Sequence, residues 1–302
     1  FRISKKRDRE ELMDKRDSLN RSSSPKELNK KISEYKEIID GSIEKHLSDF
    51  DEELSSIIDF VLKDGKNFRP ILLLLCYETV GGAKHNPLPA AVALELIHAE
   101  SLIQDDIIDN DFFRRGRPAF HVMFDYKTAL LSIDLVFSIT MKLISNYEDR
   151  RVLEILSKSV YRMIEGELKD YNSKDIKSKI SLEYYLRILS EKTGSLFSAA
   201  AEIGAILGGG NKEEINSLAE YGHELGIAYQ LKDDINDLDN EFLDLIIDRS
   251  KLEYDLKKKL QSIYEEKINS AKNNLKKLED KKAEELLILF TEQIEPHPYI
   301  NR

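Results

Sequence analysis

The stretch Leu102–Asp109, LIQDDIID, closes a run of apolar and small residues with three aspartates. Asp105 and Asp109 are spaced i,i+4, so on a helix they share a face, where like charges cost about 0.2–0.5 kcal/mol. A segment suited to a protein core thus ends in anions, and the sequence predicts a positive partner there. Upstream, NPLPAAVALELIHAES begins with prolines and continues as an apolar helix into the aspartates.

A second cluster matches the first. YGHELGIAYQLKDDIND sets Asp233, Asp234 and Asp237 at the end of another largely apolar helix, in the same D-D-x-x-D spacing as Asp105, Asp106 and Asp109. One such cluster alone reads as a solvated helix end. Two, if their helices face one another, form an oxygen-rich mouth suited to magnesium, which takes carboxylate oxygens and prefers waters and phosphates as its other ligands. The loop glycine and distal glutamate of a calcium-binding loop are absent from both clusters. Basic groups lie close by. FFRRGRPAFH supplies Arg114, Arg115 and Arg117 directly after the first cluster, and guanidinium forks match diphosphate oxygens. GKNFRP adds Lys66 and Arg69 at a helix start, another favourable place for an anion.

Composition bounds the alternatives. A net charge of −10 over 302 residues argues against nucleic acid as a partner, because backbone binding needs a basic patch. Small phosphorylated ligands remain compatible with an acidic chain. The longest apolar run, ILLLLCY at Ile71–Tyr77, falls far short of the ~20 residues that span a bilayer, so no transmembrane segment is expected. The single cysteine, Cys76, has no partner for an internal disulfide and sits among leucines. It reads as an inert core thiol, and with no visible leader the chain is expected to be cytoplasmic.

Helical spacing runs from end to end. Apolar residues recur at helical intervals between Glu27 and Leu62, DGKNFRP interrupts, and PILLLLCYETVGG follows as a buried helix. Further helices are predicted over 127–146, 148–170, 181–207, 212–237 and 252–290. Alternating strand patterns are nearly absent. The expectation is an all-α single domain over residues 1–302, with 1–25 as a polar N-terminal arm ending in a Ser/Pro break.

Taken in order, GKNFRP, ELIHAESLIQDDIIDNDFFRRGRP, EKTGS and GIAYQLKDDIND resemble the trans-isoprenyl diphosphate synthases, the family of farnesyl and geranylgeranyl diphosphate synthases, over roughly residues 27–290. The resemblance implies a helical bundle around a deep central cavity, usually as a homodimer. It implies a prenyltransferase that joins an allylic diphosphate to isopentenyl diphosphate with Mg2+, giving a short-chain (C15 to C20) product. Residue by residue, Asp105, Asp106, Asp109, Asp233, Asp234 and Asp237 would hold the metal, and Arg114 would contact the allylic diphosphate. Lys66, Arg69, His98 and Arg115 would hold the diphosphate of isopentenyl diphosphate. Lys192, Thr193 and Gln230 match positions lining the reacting carbon chain, where the dipoles of Thr193 and Gln230 would steady a carbocation. Released diphosphate is the implied proton acceptor. In the position four to five residues before Asp105, where short-chain members often carry aromatics, this chain has Glu100 and Ser101. The family usually places a lysine after the second motif, whereas none occurs here before Lys251.

Three other readings compete with this one. A noncatalytic subunit of the same fold would typically have degraded aspartate motifs, and both are whole here. A terpene cyclase would lack the set Lys66, Arg69 and Arg115. A longer-chain synthase stays open. Replacing Asp105 or Asp233 by alanine is expected to cut turnover by orders of magnitude while the circular dichroism remains helical; unchanged turnover in either variant would defeat the metal-site reading.

Overall fold

In the computed structural model the described residues are 24–47, 50, 52–63, 65–174, 180–236 and 253–293. Asp237, the lysine-poor segment after it and nearly all of the expected N-terminal arm lie outside them. The helices are α1 Pro25–Leu47, α2 Glu52–Leu62, α3 Phe68–Thr79, α4 Leu88–Ile108, the short α5 Phe120–Phe124, α6 Tyr126–Ile144 and α7 Arg150–Lys174. There follow α8 Leu182–Leu189, α9 Ser195–Gly208, α10 Lys212–Asn236, α11 Glu253–Leu275 and α12 Lys281–Gln293. Among the described residues the only strands are the two-residue pair Phe113–Arg114 (β1) and Arg117–Pro118 (β2). The all-α expectation is met.

The core forms where α9 lies between α3 and α10, with α7 on a further side. α3 buries every residue from Pro70 to Tyr77, which is why its sequence is apolar all round rather than on one stripe. α9 can approach it closely because its contact positions are small. A Cβ on Gly204 would stand 2.3 Å from the Leu73 carbonyl oxygen, and one on Gly208 would stand 2.4 Å from that of Tyr77. On the other side of α9, a Cβ on Gly222 of α10 would stand 2.5 Å from the Phe197 carbonyl oxygen. These glycines let the helix backbones touch, and so bring the C-terminal half of α10 toward the site. α4 packs on α6 and α3, which directs its acidic end to the same region.

Three expectations change. Pro25 begins α1 instead of closing an arm. Proline is tolerated at the first helical position, and the Ser24 hydroxyl accepts from the Glu27 amide at 3.2 Å as the cap. The single helix expected over 252–290 is two: the first ends at Leu275, and Asp280 caps the second, accepting from the amides of Lys282 and Ala283 at 3.0 and 3.2 Å. The helix expected over 181–207 contains a π-helical turn at Ser190–Gly194, a local widening by one residue often found at functional sites.

Close helix approach predicts opposite outcomes for two glycines. Alanine is worth roughly 1 kcal/mol over glycine inside a helix, and Gly41 of α1 has open space where a Cβ would lie. Gly41→Ala should therefore raise the melting temperature. Gly204→Ala should lower it, because displacing α3 costs about 1–3 kcal/mol of overpacking. Thermal melts of both variants check the pair.

Candidate active site

The two aspartates of α4 part company. Asp106 is 2% exposed and accepts from Arg114 Nε at 2.7 Å, with a second contact from Nη2 of the same fork. Arg114 also stands 3.6 Å from Asp111. The short hairpin sets this geometry. In its register Phe113 faces Pro118 and Arg114 faces Arg117, so Arg115 and Gly116 form a two-residue turn, with φ of 54° and 74°. Positive φ at both central positions marks the tight hairpin turn that matches strand twist. Arg114 is thereby turned back onto α4. Arg115 instead donates from Nη1 to the Lys63 carbonyl at 3.0 Å.

Asp105 faces the π-helical turn. Lys192 Nζ lies 2.6 Å from Glu167 Oε2, 2.9 Å from Asp170 Oδ2 and 3.8 Å from Asp105 Oδ1. One half-buried ammonium thus serves three carboxylates on two helices. Burial lowers the lysine pKa, but the surrounding carboxylates outweigh it and the net shift is upward. Glu167 is pushed up to about 7, first by burial and next by the Asp105 charge. Burial also raises Asp105, opposed chiefly by Lys192. Glu167 and Asp170 were not singled out from the sequence. The available signal was Gly166 beside them, where a Cβ would lie 2.5 Å from the Lys192 amide nitrogen. The turn is further held by Glu191, which accepts from Arg187 Nε at 2.9 Å and also pairs with Lys169.

From this turn a hydrogen-bonded chain crosses to α10. Thr193 Oγ1 donates to Gln230 Oε1 at 3.2 Å, Gln230 Nε2 donates to Asp234 Oδ1 at 3.0 Å, and Tyr185 Oη donates to Asp234 Oδ2 at 2.5 Å. Burial raises the Asp234 carboxyl to about 6, its two hydrogen bonds oppose the shift, and the charges of Asp233 and Asp170 add to it. Asp170 therefore acts on both sides, binding Lys192 beside Asp105 and repelling Asp234. Both aspartate motifs border one polar centre. Asp109 is exposed and Asp233 partly so.

A separate cationic lobe surrounds the start of α3. Arg69 is half-buried, its Nε enclosed and unpartnered, and its guanidinium lies 4.8 Å over the Phe197 ring. Burial lowers its pKa to about 10, which leaves it charged at neutral pH. His98 is held well below the ordinary imidazole value, first by desolvation and then by Arg69, Arg115 and Arg114. Lys66 is exposed, with Nζ 5.8 Å over the Phe68 ring. Asn67 adopts φ 56°, ψ 28° just before α3, a left-handed conformation that asparagine tolerates better than most side chains. The acid beside this lobe is Glu95, buried, with burial pushing its carboxyl up.

Among the described residues no three carboxylate, imidazole or thiol groups are gathered into a ready metal cage. The donor chemistry nonetheless suits a hard divalent cation. Asp105, Glu167, Asp170 and Asp234 offer oxygen alone, and these carboxylates together with Asp106 outnumber Lys192 and Arg114, the cations they contact. Magnesium keeping part of its water shell needs only one or two such carboxylates together with phosphate oxygens.

Comparison with known proteins identifies the family. The polyprenyl synthetase family model matches residues 51–278, and the chain belongs to that family. It is 40% identical to a geranylgeranyl diphosphate synthase of Methanosarcina mazei over 179 residues, which are 58% of this chain and 55% of that protein. It is 34% identical to a short chain isoprenyl diphosphate synthase of Methanothermobacter thermautotrophicus over 227 residues, covering 73% of this chain and 67% of that one. The match to the Methanosarcina protein thus spans little more than half of that relative's length. Among solved structures, a geranylgeranyl pyrophosphate synthetase of Pyrococcus horikoshii superposes with a TM-score of 0.79 at 29% identity, over 90% of this chain and 99% of that one. The fold is that of the isoprenoid synthases.

Glu100, one turn before the first motif, is 9% exposed, and its Oε2 has no partner. Gln104 Nε2 donates to Oε1 at 3.2 Å. Burial, and then the Asp134 charge, raise this carboxyl to about 7. A folded-state pKa above the unfolded one means stability that is intact below about pH 4.3 and lost as pH rises through about 7. Glu100→Gln should accordingly melt above the wild type at pH 8 and close to it at pH 4. An equal offset at both pH values would remove the titration from the account.

Proposed function

We propose that the chain is a trans-prenyltransferase that lengthens an allylic diphosphate with isopentenyl diphosphate to a short-chain product of C15 to C20. The observation that carries this reading is the shared polar centre, in which Lys192 lies 3.8 Å from Asp105 and 2.9 Å from Asp170, and Asp170 in turn acts on Asp234. Asp105, Asp106 and Asp109 from α4, with Asp233, Asp234 and Asp237 from the other wall, would hold Mg2+. Bound there, the metal supplies neutralisation of the allylic diphosphate as it departs. Arg114 would add its guanidinium to the same diphosphate.

Lys66, Arg69, His98 and Arg115 would grip the diphosphate of isopentenyl diphosphate. The buried, unpartnered Nε of Arg69 supports that role, since an orphaned buried donor costs about 1–3 kcal/mol until an acceptor fills it. Held between the lobes, the isopentenyl double bond attacks the allylic carbon as its C–O bond breaks, and a proton then leaves to the released diphosphate. Placing both reactants in attack geometry can contribute ~7–11 kcal/mol. Thr193 Oγ1 and Gln230 present oxygens toward the positive charge that develops, and Lys192 fixes the turn that carries Thr193. Closure of the site keeps water from capturing the cation.

A second copy of the chain would cover the apolar residues left outside. Leu130, Leu131 and Phe137 on α6 and Tyr161, Ile164 and Leu168 on α7 are 42–70% exposed, a pattern that suits a homodimer. Among the described residues no helix is long and apolar enough to cross a membrane. With Cys76 buried as a free thiol, we place the enzyme in the cytoplasm.

Incubation with Mg2+, isopentenyl diphosphate and primers of increasing length, followed by sizing of the products, tests activity and chain length together. Elongation that stops at C15 or C20 and disappears with EDTA is expected. Failure to extend any primer would favour a noncatalytic subunit, and products beyond C20 would make it a longer-chain synthase.

A further inference from the structure

Behind the π-helical turn, on the side away from Lys192, α7, α9 and α10 enclose a second cleft of about 230 Å³. It is smaller than the ~300 Å³ at which drug-sized ligand sites begin, so it suits a small molecule. Lys158 and Arg162, one turn apart on α7, line it together with Ser190, Ser195, Glu202 and His223. Both cations are exposed, and among the described residues no carboxylate pairs with Arg162. Glu202 is the acid in the lining. Burial raises its carboxyl, while Lys158 and Arg151 hold it down, so its charge is offset by two bases.

Imidazole and hydroxyl groups complete the lining. Ser190 Oγ lies 2.9 Å from His223 Nε2. A guanidinium fork, an ammonium and further hydrogen-bonding groups around a small volume are the chemistry of a phosphate group. On α7 the exposed apolar residues Ile164 and Leu168 lie toward the face opposite Ile155 and Arg162, with Tyr161 at its edge, so a second copy centred on Ile164 leaves the cleft open.

The cleft also touches the catalytic turn directly. Ser190 is the first residue of the turn and Gly194 its last. A Cβ on Gly194 would meet the His223 ring at 3.1 Å. Ser195, just beyond, donates to the carbonyls of Glu191 and Ser159 at 2.6 and 3.3 Å. Anything that moves His223 or Ser190 presses on the backbone that aims Lys192 and Thr193.

We propose that this cleft binds a phosphate group, free or as the head of a phosphorylated metabolite, and that its occupancy is transmitted through Ser190 and His223 to the turn carrying Lys192 and Thr193. Calorimetric titration of the full chain in metal-free buffer with EDTA, using inorganic phosphate and phenyl phosphate, tests the binding without relying on the prenyl transfer reaction. Saturable binding is expected, weakened about tenfold by Arg162→Ala or Lys158→Ala, since one charge-assisted hydrogen bond is of that order. Lys66→Ala, in the cationic lobe, should leave it unchanged. Tighter binding of the phenyl ester identifies an organic phosphate as the ligand, and equal binding identifies the free anion. Absence of saturable binding, an unchanged affinity in Arg162→Ala, or its loss in Lys66→Ala overturns the site. Transmission is read separately: phosphate should shift the steady-state rate of the wild type at saturating substrate more than that of Arg162→Ala, and an identical response in the two overturns the coupling.

Discussion

The contact on which the site depends is a single ammonium shared by three acids. Lys192 reaches Glu167, Asp170 and Asp105 from the middle of a helix, in a setting where each charge has lost much of its water. Breaking such an arrangement by removing one partner is strongly destabilising, because the remaining charges stay buried and unpaired. Yet the balance is incomplete even when intact. Burial first, and neighbouring carboxylates after it, drive Glu167 up to about 7 and Asp234 to about 6, and three acids around one ammonium leave negative charge in excess. A site that holds this surplus in place favours further positive charge, and repels an anion that arrives without it.

The fold supplies the geometry through backbone proximity more than through side-chain fit. Gly166 lets α7 meet the amide of Lys192, and Gly226 brings α10 against Gly194, where a Cβ would stand 2.9 Å from the Gly194 Cα. The π-helical turn adds the residue that swings Lys192 toward α4 while Thr193 still faces Gln230. Bulk at either glycine would separate these helices, and the chain from Thr193 to Asp234 depends on their staying together. Packing and chemistry are therefore not independent here.

Much of this was readable in advance, and the exceptions have physical reasons. The doubled D-D-x-x-D spacing marks both walls because a carboxylate pair at the end of an apolar helix is locally costly, and repetition makes chance an inadequate account. Arg69 is marked only through the ordered set of motifs, since taken singly a charge at the start of a helix reads as a surface charge. Glu167 and Asp170 do not, since α7 is rich in charge along its whole length and a functional carboxylate there has the same local pattern as a solvated one. The π-helical turn escapes periodicity, which cannot register a one-residue widening within a helix. Nor does spacing reveal that Arg114 lies on Asp106, a contact made by the hairpin turn. Asp280 was a missed capping signal that lay in plain view.

That turn has a further consequence for how one short segment serves two lobes. Arg114 and Arg115 are neighbours, yet one guanidinium lies on Asp106 and the other reaches the Lys63 carbonyl. Opposite directions follow from the alternation of side chains along a strand and from the positive φ of Arg115. The cationic lobe then keeps Arg69 and Arg115 with Glu95 as their buried counter-charge, its carboxyl raised by burial, and two guanidinium groups against one carboxyl leave the positive excess. The acidic lobe, centred on Lys192, keeps the negative excess. Two anionic head groups entering together would be sorted by this difference. One can be met directly by guanidinium groups, while the other must bring cations to approach the aspartates. Under the proposed reaction, unequal treatment of two similar diphosphates would let one depart while the other stays bound, and adjacent arginines facing opposite lobes would build that inequality into the backbone.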